Sequence, residues 1–222
     1  MPARRARFLP LALLILGLPV LAVAAQETRR QGAAISNADI AGLFGVQRLT
    51  GFEVSDYLDP AGRKWIRMRG RCETAIRAPM DEVIAKLWDF KDSPKVFSRI
   101  EAVRLRSDDG TRAVTEQRTA VRVLGLAFVS NLVFLNTLAR RDEGSATVGF
   151  AMVDSDGSCM ASTGGWELTE LSDGEGAATF AEFWFDNIVE PRFPGQALIM
   201  RAFGADDVKR IVRELSQAIG RS

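Results

Sequence analysis

The chain has no histidine, and that absence excludes more chemistry than any motif in it supplies. Without imidazole there is no Ser-His-Asp arrangement, and the commonest general base and the commonest metal ligand are both missing. Cysteine is scarce too: Cys72 and Cys159 match no metal-binding spacing, and a zinc site would need several carboxylates beside them. The single tyrosine, Tyr57, stands ahead of the main run of strands. Neither charge is in excess, with 29 Lys and Arg against 28 Asp and Glu, a net of +1 that argues against a general nucleic-acid partner. Internal repeats, low-complexity tracts and a break between two domains are absent as well. The sequence therefore assigns no catalytic residue, no metal ligand and no cofactor.

What is present begins with a leader. Arg4, Arg5 and Arg7 precede an uncharged run from Phe8 to Ala25, followed by Gln26, Glu27, Arg29 and Arg30. This is the layout of a secretory signal, and both Ala22-Val23-Ala24 and Val23-Ala24-Ala25 fit the small-x-small cleavage rule. Pro10, Gly17 and Pro19 make the run a poor permanent span, so cleavage is expected and a retained anchor is the alternative. Phe8 sits one position late for a twin-arginine signal, and no cysteine near the exit invites a lipid anchor. Residues 1–25 are read as a signal peptide, 26–62 as a linker and N-terminal arm, and 63–222 as one ligand-binding domain, periplasmic or secreted and expected to be monomeric. Loss of the three leader arginines takes the net charge from +1 to −2.

Within the domain the hydrophobic period changes in an ordered way. Gly51 to Leu58 alternates weakly as a strand, and Asp59-Pro60-Ala61-Gly62 is a turn in which proline fixes one dihedral and glycine accepts a positive one. Lys64 to Ile76 alternates cleanly, with Ile66, Met68, Gly70, Cys72, Thr74 and Ile76 on one face and Arg67, Arg69, Arg71 and Glu73 on the other. Ala78-Pro79 opens a helix with Val83, Ile84, Leu87 and Trp88 on its buried side, and a short second helix carries Val96 and Phe97. Six extended runs follow, ending with Ala177 to Ile188, most of them separated by Asp/Gly reversals. Pro191 and Pro194 close the last, and Gly195 to Ile219 reads as a long helix with Leu198, Ala202, Ala205, Val208, Val212, Leu215 and Ile219 on one stripe.

Four segments carry a resemblance. Thr74-Ala75-Ile76-Arg77-Ala78-Pro79-Met80-Asp81-Glu82-Val83, the Trp88-Asp89-Phe90 helix close, Gly165-Trp166-Glu167-Leu168 and the proline-bounded terminal helix resemble the START-like superfamily, which includes polyketide cyclases, lipid-transfer domains and quinone-binding proteins. The resemblance spans about residues 64 to 220. It implies an α+β helix-grip fold: a curved seven-stranded antiparallel sheet wrapped around the C-terminal helix, with two short helices between strands one and two. Strand one would then lie beside strand seven, with Arg69 and Arg71 facing Glu182 and Asp186 either as ordinary surface pairs or as a basic patch for anionic headgroups. The same order would put strand seven between Cys72 and Cys159, roughly 9–10 Å apart, and leave two buried thiols.

Such a grip encloses a cavity, and function turns on what fills it. Met68, Phe97, Phe128, Leu132, Phe134, Phe150, Met152, Trp166, Phe183, Phe185, Leu198 and Phe203 are the candidate lining, although periodicity alone does not separate an open pocket from a filled core. Glu116, Glu167 and Glu182 would enter only if their strands were out of phase by one residue. The entrance is expected near Phe97 and the Val123-Leu124-Gly125-Leu126-Ala127-Phe128 hairpin, whose apolar tip has two explanations: docking on a membrane or partner, or cover by the N-terminal arm. The expected partner is a lipid or other hydrophobic small molecule, carried or stored without chemistry. A cyclase or aromatase using the same cavity, and an envelope interaction module, are the alternatives.

Overall fold

The structure is a computed structural model that describes residues 40–123, 126–142, 144–172 and 176–220. The expected leader, the arm to residue 39 and the Leu124-Gly125 tip lie outside the described residues.

Eight strands and three helices follow one another: β1 (Arg48–Leu58), β2 (Lys64–Ile76), α1 (Met80–Trp88), α2 (Ser93–Val96), β3 (Ile100–Asp108), β4 (Arg112–Val123), β5 (Leu126–Asp142), β6 (Ser145–Ser155), β7 (Cys159–Ser172), β8 (Ala177–Val189) and α3 (Gln196–Ile219). They form one antiparallel sheet in the order β1-β2-β8-β7-β6-β5-β4-β3. The large sheet and the C-terminal helix are as the sequence implies, but the sheet has eight strands, not seven. The extra one is β1, which had been assigned to the arm. It pairs along β2 from Leu58↔Lys64 to Arg48↔Glu73, and a register shift between Leu49 and Gly51 interrupts the alternation that would have marked it as a full strand. Its turn into β2 is held by Asp59, whose carboxylate accepts from the backbone N–H groups of Ala61 and Arg63 and from the side chains of Arg63 and Trp65.

Alternation decides which side chains meet the helix. On β2, Cys72 and Ile76 point to the core; on β8, Ala181, Phe183 and Phe185 do the same. They pack with Trp166 and Leu168 of β7, with Met80, Val83, Ile84 and Leu87 of α1, and with Val208, Val212, Leu215 and Ile219 of α3. On the opposite face a smaller cluster of Ile40, Leu43 and Ala75 gathers Phe44, Leu171 and Phe180. The outer arginines of β2 are engaged: Arg71 with Glu182 at 2.6 Å, Arg67 and Arg69 with Asp186 at 2.5 and 3.3 Å. These are cross-strand pairs, and the alternation of signs leaves no uninterrupted basic patch there.

The two halves of α3 differ. Val208, Val212, Leu215 and Ile219 are at most 3% exposed, whereas Leu198 is 67% exposed and Ala202 is also on the surface. The expected stripe therefore holds for the C-terminal half and is corrected in the first two turns, where Gln196, Ile199, Met200 and Phe203 face inward instead. The helix buries its apolar face on the sheet from about Val208 onward; its first half touches β1, where Arg201 donates to the Val54 carbonyl, and otherwise roofs an open space.

Candidate functional site

That space is a cavity of about 590 Å³, within the range of small-molecule sites. Its floor is one end of the sheet. Met68 of β2, Phe185 and Val189 of β8, and Cys159 of β7 meet Phe128 and Leu132 of β5 there, with Thr119 and Val121 of β4 at the side. Ile199, Met200 and Phe203 of α3 form the roof, and Phe52 of β1 closes one flank. Gly204 lets the helix pass over that flank, because a Cβ there would stand 2.2 Å from the Phe52 ring. At the hairpin end, Phe128 stacks on Phe193 with ring centroids 5.4 Å apart, and the Arg192 guanidinium donates to the Val129 carbonyl at 3.0 Å. Gln196, 5% exposed, accepts from the Arg192 backbone N–H at 2.6 Å and fixes the connection from β8 into α3.

The sheet's inner face is thus divided into an open half and a solid half. Met68, Phe128, Leu132, Phe185 and Phe203 of the candidate lining meet at the cavity. Trp166 and Phe183 pack in a tilted pair with centroids 4.8 Å apart in the solid half, and Phe97 packs against the same core instead of marking an entrance. Phe134 meets Phe150 edge-on at 5.5 Å, with Met152 alongside, and this cluster fills the space over β6, which contributes nothing to the cavity wall. Leu198 points to solvent, because the helix face toward the sheet is set one position later than the apolar spacing suggested.

Glu116, Glu167 and Glu182 stay on the outer face, in contact with Arg106, Thr147 and Arg71 respectively. Three carboxylates do reach the wall, Glu190, Asp206 and Asp207, and sequence reasoning passed over all of them. Asp207 of α3 lies 2.9 Å from the Arg99 guanidinium and also pairs with Arg210. The spacing Ile199, Phe203, Asp207, Arg210 places all four along one helical face, and this was the available signal. Ser162 Oγ donates to Asn187 Oδ1 at 2.8 Å in the floor. Arg210 Nε is buried and has no hydrogen-bond partner among the described residues, and Arg210 lines this cavity.

Cys72 and Cys159 are buried and free, on β2 and β7 with β8 between them, as the implied strand order required. Burial pushes both thiols up to about 11. Among the described residues no group of three or more carboxylates and cysteines is placed to hold a metal ion.

Comparison with known proteins gives architecture and little else. No family model matches the chain, and no curated protein sequence matches it. Solved structures do. Human StAR-related lipid transfer protein 5 superposes with a TM-score of 0.59 at 16% identity, covering 90% of this chain and 93% of its own. The chain has the START-like helix-grip fold. The Zhui aromatase/cyclase from Streptomyces sp. R1128 shares the helix-grip with a TM-score of 0.56 at 14% identity, over 70% of this chain and 94% of its own. A STAR-related lipid transfer protein from Xanthomonas axonopodis gives 0.50 at 17%, over 72% and 98%. One of these names is an enzyme and two are lipid carriers, so the helix-grip alone does not choose between the roles.

Proposed function

We propose that this chain is an exported carrier or store for a hydrophobic molecule of lipid or isoprenoid kind, held in the cavity under the first half of α3 without chemical change. The observation that carries this reading is the division of the sheet's inner face. One half is filled by its own side chains, and the other is a roughly 590 Å³ space with an apolar floor and a helix roof that buries little of itself. A protein with no cargo would gain by closing that space, because unfilled apolar volume forfeits packing. Two of the similar folds are named as lipid transfer proteins, which supports the same reading. The leader over residues 1–25 puts the work outside the cytoplasm, in the periplasm or the medium.

The cyclase alternative has one observation in its favour, the carboxylates in the wall. Among them, Asp207 is held between two guanidiniums, an arrangement suited to holding charge. A vesicle assay tests the carrier reading. The protein is expected to draw a fluorescent lipid or polyprenol analogue out of donor vesicles into the soluble fraction, up to one molecule per chain. Failure to extract any member of a broad panel would count against it.

A further inference from the structure

The cavity is mainly apolar in its floor, with the Ser162–Asn187 pair set into it, and cationic in its wall. Five arginines and three carboxylates line it, a net of +2 in a chain whose total charge is only +1. Arg122 is engaged by Glu101, while among the described residues Arg192 and Arg213 hydrogen-bond to neutral oxygens, the Val129 carbonyl and the Gln47 side-chain amide. Arg99 and Arg210 share the one carboxylate of Asp207. Each guanidinium offers five N–H donors, so a single carboxylate leaves most of them to other acceptors and one positive charge uncompensated. The Arg99 and Asp207 side chains are 24% and 19% exposed and that of Arg210 is 43%, so solvent screens the Arg99 end of the cluster poorly and the Arg210 end in part. Arg210 Nε is buried and has no acceptor among the described residues, and its residue lines this cavity. Buried polar atoms are nearly always satisfied, so this exception points to an acceptor that the cavity would receive.

We infer that the cargo is an acidic amphiphile: an oxyanion head, carboxylate or phosphate, held by Arg99 and Arg210, with its tail over Met68, Leu132, Phe185 and Phe203. An oxyanion supplies the missing acceptors and the missing negative charge together, through charge-assisted hydrogen bonds that a neutral head cannot make. Asp207 pairs with both arginines and orients them toward one another. This rests on the carrier reading of the same cavity and narrows it to one class of head group.

Equilibrium dialysis of the delipidated protein against radiolabelled hexadecanoate, hexadecyl phosphate and hexadecanol, each below its critical micelle concentration, tests the inference with one tail and three heads. At least one acid is expected to bind about tenfold or more tighter than the alcohol. Arg210→Met is expected to shrink that preference to about threefold or less, and Arg210→Lys to retain part of it. A preference for the phosphate points to a phospholipid or prenyl phosphate, and a preference for the carboxylate to a fatty acid. Equal binding of all three by the unmodified protein would overturn the inference and leave the carrier reading standing. A preference that survives in both Arg210→Met and Arg99→Met, with both variants folded by circular dichroism, would also overturn it. Binding of none of the three would remove the carrier reading along with it.

Discussion

Cys159 lies in the cavity floor and Cys72 in the solid core, yet the two thiols are in the same electrostatic condition. Burial disfavours the thiolate and lifts each from an ordinary 9.0 to about 11. Both are therefore expected to resist a thiol reagent at pH 8 in the folded protein and to react at once in denaturant; rapid modification of either in the native state would contradict their burial. The same shift has a stability consequence. The folded-state pKa exceeds the unfolded one, so the contribution is complete below pH 9 and is lost as pH climbs through 11. That loss is roughly 2–3 kcal/mol per thiol and can be read from denaturant midpoints across that range. Gly164 is a second residue with a sharp expectation. A Cβ there would stand 2.5 Å from the Trp184 carbonyl oxygen and 2.4 Å from the Phe150 ring. The ring can turn but the carbonyl belongs to the sheet, so Gly164→Ala is expected to cost about 1–3 kcal/mol by chemical denaturation, and an unchanged midpoint would show that β7 and β8 are less closely paired than described.

At the scale of elements, α3 carries the account, because its two halves do different things. Leu215 is fully buried beneath the helix and Leu198 is two-thirds exposed. Leu215→Ala is expected to destabilise by about 2–5 kcal/mol and Leu198→Ser by no more than about 0.5 kcal/mol. Hydrogen exchange should follow the same division, with amides between Ile199 and Asp206 exchanging faster than those between Val208 and Ile219. Uniform protection along the helix would mean that its first half is packed, not roofing a cavity. This helix also marks where sequence reading succeeded and where it failed. The spacing Val208, Val212, Leu215, Ile219 is an unbroken apolar stripe and was legible. Further toward the N-terminus, Leu198 and Ala202 continue that stripe on paper, but a helix over a cavity is not obliged to bury its most apolar face. The face that turns inward includes Asp207 and Arg210, which any amphipathic reading assigns to solvent. The strand β1 was legible from Gly51 to Leu58 as a weak alternation, but as an edge strand with a register shift between Leu49 and Gly51 it hid its start at Arg48, and only its pairing with β2 makes it part of the sheet. The strands from β2 to β8 were legible because each has one face on the core, which makes the period of two plain.

For the whole molecule, sheet order and helix placement together determine where a ligand can go. Bringing β8 next to β2 aligns Met68 with Asn187 and Gly70 with Phe185, so the first and last strands of the grip share one floor. The solid half, built from Trp166, Leu168, Phe183, Leu215 and α1, supplies the stability that allows the other half to stay open. Neither fact can be read from a strand in isolation, since a strand's inward aromatic fills a core or lines a pocket depending on how far the helix stands off. The central claim is that the open half holds a cargo. Native mass spectrometry of the protein purified without detergent from its own host, followed by organic extraction and lipid analysis, addresses it most directly. The account predicts one lipid- or isoprenoid-like molecule per chain, with an acidic head. A protein that arrives empty and remains empty when offered a panel of lipids would contradict it.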